Sequence, residues 1–272
     1  MRVSGIAFLG GAASRLLPAS IPFRFFGAAA AYHLLAWIAL LASARDVPRF
    51  GGGLGWPLAA LHLVTLGVLV MTAIGASLQL LPVATRRPVE SRRWLAAIWW
   101  VYTPGVAAVA LGMGMPAPFL LGGGAIAVSV ALAGYAALLA RNLIGARGMP
   151  VVIAHGFAAV AALVVVLVTA VSLVFAYLGI PVLGRGMALA LHVPFAAYGF
   201  MGLLALGLSY VLVPMFALSP APNERRALAS CVCAALGLAL AAAAAFDVAP
   251  RPLRIAAITA AMAAVGLHLH LM

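Results

Sequence analysis

The sequence predicts an all-α, polytopic membrane protein with eight transmembrane helices. Hydrophobic residues make up 67% of the 272-residue chain and charged residues only 7%, a composition that excludes a soluble globular domain. Apolar runs of about 20 residues recur along the whole chain, and each is long enough to cross a hydrocarbon core of roughly 30 Å. The predicted spans are residues 24–41, 56–81, 94–113, 118–140, 151–178, 187–216, 228–246 and 253–272.

The stretch before the first span, residues 1–23, is interrupted by Arg15 and by prolines, which predicts a short amphipathic lead-in on the membrane surface. The first span carries a polar histidine, His33, so it is interpreted as a transmembrane helix and not as a cleaved signal sequence. The rest of the chain divides into two four-helix units, residues 24–140 and 151–272.

The basic residues indicate how the chain is oriented. The chain has 16 arginines and no lysine, and these arginines lie mostly in the short loops between spans, which is typical of a topology signal and not of a nucleic-acid-binding surface. With eight spans, eleven arginines fall on one side of the membrane and five on the other. Because cytoplasmic loops carry the excess of positive charge, both termini are predicted to be cytoplasmic, in a bacterial-type inner membrane.

The second and sixth spans carry matching residues at a constant separation of 132 positions. The matched pairs are Gly67 and Gly199, Gly75 and Gly207, Ser77 and Ser209, and Pro82 and Pro214. The same separation aligns the first span with the fifth, the third with the seventh and the fourth with the eighth. Since each unit has an even number of helices, the pattern predicts two parallel repeats related by a pseudo-twofold axis along the membrane normal. Gly67 and Gly75 are eight residues apart on one helix, so they share a face, where a neighbouring helix or a flat macrocycle can approach closely.

Histidines are the polar residues of greatest interest, because an imidazole inside lipid-facing helices is costly without a partner. The four carboxylates are expected in loops or at span ends, so a metal or a haem is the most economical partner. His62 and His192 lie near the starts of spans two and six, about 9 Å and 8 Å deep by helix rise. This pair is predicted to hold a b-type haem, although strict repeat register puts His62 opposite Pro194, two residues from His192.

Two other interpretations remain open from the sequence. One is a copper-binding or copper-transporting protein, with a three-histidine site and soft sulfur donors nearby. The candidate copper ligands are His33, His62 and His192, with Met71, Met201 and Met215. The other is a non-catalytic scaffold subunit whose histidines only form hydrogen bonds. Whether the protein catalyses a reaction is left open.

A second group of histidines lies near the predicted cytoplasmic surface, on spans five and eight. His155, His268 and His270 form this group, and they are the next candidates for metal ligands. A phosphate-binding loop, a CxxC pair and an HExxH motif are all missing from the sequence, which argues against an ATPase, a thiol oxidoreductase and a zinc protease.

Two stretches of the first unit resemble a known family. Residues 22–33, PFRFFGAAAAYH, and the spacing of His62, Gly67 and Gly75 resemble the NnrS family of membrane haem–copper proteins, which are linked to nitric oxide stress. More distantly, the chain resembles the haem-copper oxidase subunit I superfamily, in which a histidine opening the second helix ligates a low-spin haem. The resemblance implies haem or metal binding and contact with a small diatomic gas. The chain departs from the NnrS pattern in having fewer spans and in carrying Leu63 where that family tends to have an acidic residue.

Overall fold

The computed structural model describes residues 16–88, 91–246 and 251–272. Within these ranges it contains helices and no strands, and eight of the helices are long and apolar enough to cross a membrane. These eight helices are α1 Ser20–Ala42, α2 Trp56–Thr85, α3 Arg92–Gly114, α4 Pro118–Leu143, α5 Pro150–Tyr177, α6 Arg185–Ala217, α7 Glu224–Ala244 and α8 Arg251–Leu271. The all-α, eight-helix prediction is therefore confirmed. Most of the predicted amphipathic lead-in lies outside the described residues.

The helix starts follow local sequence signals. Ser91 accepts a hydrogen bond from the backbone N–H of Trp94 at the start of α3, and Asn223 accepts one from Arg226 at the start of α7. These caps satisfy N–H groups that have no partner within the helix. The two capping residues are 132 positions apart, the same separation that the glycine pairs have.

Two further features recur at the same separation. Both α2 and α6 contain an eight-residue π-helical segment, Leu63–Val70 in the first and Phe195–Gly202 in the second. Both helices also end at a residue with a left-handed backbone, Arg86 with φ 57° and Leu218 with φ 51°. These recurrences support the predicted repeat, while the superposition of two whole four-helix units stays a prediction.

The four glycines of α2 and α6 that match in the sequence allow the first helix of each unit to pack closely. A Cβ atom added at any of the four would lie less than 3 Å from the facing side chain, so only glycine fits without a shift. The facing pairs are Gly67 with Tyr32, Gly75 with Phe26, Gly199 with Ala162 and Gly207 with His155. Helix packing is therefore the role of these four glycines.

The two units meet along α4, α5 and the second halves of α2 and α6. Segments Met71–Thr85 and Leu203–Ala217 contact each other, whereas the first halves of the same helices make at most sparse contact. The rings of Tyr135 on α4 and Phe200 on α6 are 6.4 Å apart in an edge-on arrangement. The two helices that carry the predicted ligands are thus packed at one end and separated at the other.

A polar cluster joins the end of α2 to the linker between the units. The side chain of Asn142 donates to the carbonyl of Arg87 at 3.0 Å and accepts from the Thr85 hydroxyl at 2.9 Å. The Arg87 guanidinium donates to the carbonyl of Ile144, and the N–H of Met149 donates to the carbonyl of Ala84 at 2.9 Å. These bonds fix the start of the second unit against the first.

Large apolar side chains cover much of the outer surface. Phe119 on α4 is 90% exposed, and many other leucine, isoleucine, valine and tryptophan side chains on the helices are exposed as well. Such a surface is unfavourable in water and suits contact with lipid chains. The structure is accordingly that of a multi-pass membrane protein in contact with the bilayer.

Candidate metal centre

His62 is held in one orientation by its own helix. Its Nδ1 atom lies 3.0 Å from the carbonyl oxygen of Leu58, one turn earlier. A carbonyl can only accept a hydrogen bond, so Nδ1 carries the proton and the lone pair of the neutral ring is on Nε2. The π-helical segment begins at the next residue, Leu63. Segments of this kind are frequent at functional sites.

The Nδ1 atom of His192 is supported by a residue of a neighbouring helix. Its Nδ1 atom lies 3.2 Å from the hydroxyl oxygen of Thr169 on α5. The Thr169 hydroxyl donates its only proton to backbone carbonyls of its own helix, with Val165 at 2.8 Å and Val166 at 3.1 Å. The hydroxyl oxygen therefore accepts from His192 Nδ1, and the free lone pair of this ring is again on Nε2.

His62 and His192 lie on corresponding parts of two helices, and both side chains are half-buried. They lie on the first halves of α2 and α6, where those two helices separate. An Nδ1 atom bonded to the protein with Nε2 free is the arrangement of most metal-ligating histidines, because the bond fixes the tautomer and the ring orientation.

The two-residue departure from repeat symmetry remains in the structure. The π-helical segments occupy equivalent positions, yet His62 directly precedes the first, whereas Pro194 directly precedes the second. His192 lies two residues before that proline and is supported by Thr169 of α5 instead of a carbonyl of its own helix. The two inequivalent positions therefore have different supports for Nδ1.

His33 lies away from this pair. The buried face of α1 carries Tyr32 and Ala36, and the adjacent His33 is exposed on the outer side of the helix. Its Nε2 atom accepts a 3.0 Å hydrogen bond from the indole N–H of Trp37. The structure does not bring together the three nitrogens of the predicted copper site. Among the described residues, no group of three His, Cys, Asp or Glu side chains has the proximity that a metal site needs.

The inner histidines divide into two buried residues and one exposed residue. His155 and His268 are buried and both rings contact that of Tyr210, whereas His270 is exposed near the end of α8. The prediction from sequence therefore grouped three residues of which the structure brings two together.

Comparison with known proteins adds no relative: no family model, curated protein or solved structure matches the chain. The geometry of the residues is therefore the basis for assigning a function.

Sequence reasoning missed the side chains that support the histidine pair. Thr169 and Tyr102 are both buried and polar within apolar spans. Tyr102 on α3 donates to the carbonyl of Leu66 at 3.0 Å, within the π-helical segment that follows His62. A polar side chain inside a span needs a partner, and this signal was available in the sequence, but the identity of the partner depends on helix packing.

Proposed function

We propose that this protein binds one b-type haem between His62 and His192 in the membrane and serves a redox or small-gas function. The observation that carries the proposal is the pair of half-buried imidazoles on the first halves of α2 and α6, each with Nδ1 engaged and Nε2 free. A haem held there would supply a one-electron iron couple, and a diatomic gas such as nitric oxide would bind the iron in place of one of the two imidazoles.

The number of protein donors favours a haem over an isolated copper ion. The porphyrin already supplies four nitrogens to iron, so two imidazoles complete the coordination. The three-histidine copper site would need His33, which is exposed and bonded to Trp37. The separation of α2 from α6 around the two histidines is consistent with a flat ring between them.

The predicted orientation indicates which side of the membrane the site would serve. If both termini are cytoplasmic, the starts of α2 and α6 face the outer side, and the haem exchanges electrons or gas there. The resemblance of residues 22–33 and of the His62, Gly67 and Gly75 spacing to NnrS-like proteins agrees with a role in nitric oxide handling.

The absorption spectrum of the purified protein in detergent tests the proposal. We expect a Soret band with low-spin α and β bands, and we expect His62→Ala or His192→Ala to abolish the bands or convert them to a high-spin form. His270→Ala is the matched control, because that histidine is exposed and outside the pair. Copper without a Soret band would favour the copper-binding alternative, and neither metal would favour the scaffold. Full haem content with an unchanged spectrum in both ligand variants would overturn the assignment.

A further inference from the structure

The second unit contains a buried polar cluster at a different level of the helices, formed by His155 on α5, Tyr210 on α6 and His268 on α8. The ring centroids of His155 and Tyr210 are 5.5 Å apart, and those of Tyr210 and His268 are 4.9 Å apart. His155 is fully buried, Tyr210 is 1% exposed and His268 is 6% exposed. Side chains from three helices thus meet in one buried cluster.

The hydrogen bonds fix where the lone pairs of both rings lie. His155 Nδ1 donates to the carbonyl of Val151 at 2.8 Å, so the lone pair of the neutral ring is on Nε2. His268 Nε2 is 3.2 Å from the hydroxyl oxygen of Ser209, whose proton goes to the carbonyl of Leu206 at 2.7 Å. Ser209 therefore accepts from His268 Nε2, and the lone pair of His268 is on Nδ1.

The atoms of the cluster that remain unpaired are complementary to a cation. His155 Nε2, His268 Nδ1 and the Tyr210 hydroxyl are buried and have no hydrogen-bond partner. The hydroxyl of the nearby buried Ser230 donates to the carbonyl of Ala264 at 2.8 Å and so does not donate to this cluster. The single proton of Tyr210 can satisfy only one of the two nitrogens. Leaving a buried nitrogen unpaired is unfavourable, so the cluster favours an added electron-poor centre.

The first unit makes the corresponding contacts with other residues. Phe26 faces Gly75 of α2, whereas His155 faces the matching Gly207 of α6. The partner of Ser77, which matches Ser209, is Tyr135, and their hydroxyls are bonded at 2.7 Å. The residue of the first unit that matches Tyr210 at the separation of 132 is Leu78, which is apolar and buried. The corresponding contacts are therefore made without unpaired nitrogens in the first unit, whereas the second unit has two unpaired nitrogens there.

We propose that His155, Tyr210 and His268 bind a single first-row transition-metal ion at a site separate from the haem pair. Two neutral imidazole nitrogens are good ligands for copper, zinc, iron, cobalt or nickel, and the tyrosine oxygen supplies a third donor. The bonds to Val151 and Ser209 are the outer supports that such histidine ligands have. The site does not depend on the proposed function, because it shares no residue with the His62 and His192 pair.

Cobalt titration of the chelator-treated protein in detergent tests this site directly. We expect Co²⁺ to give a ligand-field absorption band that saturates at one ion per chain. Competition with Zn²⁺, or with Cu⁺ under reducing conditions, then identifies the metal that binds most tightly. A protein that gains no band and retains none of the three metals would show that the cluster encloses water only, and would overturn the proposal.

The variants take their residues from the first unit, so they are chosen to fit the fold. His155→Phe and His268→Tyr introduce the side chain that makes the corresponding contact in the first unit, and Tyr210→Leu introduces the residue found 132 positions earlier. We expect the two histidine variants to weaken Co²⁺ binding by about tenfold or more, with unchanged elution on size exclusion and unchanged haem content. His270→Leu, two residues from His268, is the control and should bind Co²⁺ normally. Unchanged affinity in both histidine variants would overturn the proposal, and a loss of haem alone would count against the proposed function and not against this site.

Discussion

The hydroxyl of Tyr102 on α3 donates a 3.0 Å hydrogen bond to the carbonyl of Leu66, inside the π-helical segment that follows His62. Tyr102 is fully buried, and a buried tyrosine hydroxyl normally needs a partner. A π-helix shifts the hydrogen-bond ladder by one residue, and the carbonyls at such a shift accept bonds from side chains. Tyr102 therefore couples the third helix to the distorted part of the second.

Replacing Tyr102 with Phe should destabilise the protein, because the Leu66 carbonyl loses its side-chain donor while the ring stays in position. We expect a loss of about 1–2 kcal/mol in the free energy of unfolding. The change is measured from the melting temperature in detergent, with the folded fraction monitored by size exclusion. Trp100→Phe on the same helix is the control, because the Trp100 side chain is 66% exposed. Equal melting temperatures for Tyr102→Phe and the unaltered protein would contradict the coupling.

A methyl group at Gly67 should disrupt the packing of α1 against α2. A Cβ atom there would lie 2.6 Å from Cβ and Cγ of Tyr32, so one of the helices must shift. We expect Gly67→Ala to cost about 1–3 kcal/mol. Gly27→Ala on α1 is the matched control, because no atom lies within 4 Å of its added Cβ. That change should be neutral or slightly stabilising, and equal melting temperatures for the two variants would contradict the packing role.

The helices and their order could be predicted from hydropathy, because a span is defined by length and apolar composition alone. The helix ends in the structure differ from the predicted ends by only a few residues. For example, α1 begins at Ser20 and not at residue 24. The pair His62 and His192 was predicted from depth, which depends on helix rise. Both residues are half-buried on the first halves of α2 and α6, and the metal between them stays a prediction.

The orientation of each helix about its axis could not be predicted. A helix that is apolar on all sides has no periodic signal that separates its buried face from its lipid face. His33 was for this reason grouped with His62, although it lies on the outer face of α1. Thr169 was missed because its role arises only when α5 packs beside His192.

The arginine distribution makes a prediction about orientation. We expect both termini in the cytoplasm and the loop after α1 on the outer side. Single cysteines at Gly51 and Met272 test this in a background where Cys231 and Cys233 are alanine. A membrane-impermeant maleimide should label Gly51→Cys in intact cells and Met272→Cys only after permeabilisation. Labelling of Met272→Cys in intact cells would contradict the predicted orientation and indicate the opposite one.

Thr169 should control the ligand strength of His192 if the pair holds a haem. Its hydroxyl oxygen accepts from His192 Nδ1 at 3.2 Å, and Val has nearly the same shape but no acceptor. Without that bond the ring can rotate or change tautomer, so we expect Thr169→Val to weaken haem or metal binding about 10- to 100-fold. Thr65→Val is the matched control, because that exposed hydroxyl bonds only the carbonyl of Leu61 in its own helix. Haem retention during dilution and the low-spin bands are the measurements. Normal retention in Thr169→Val, with the protein folded, would mean that Thr169 does not position His192.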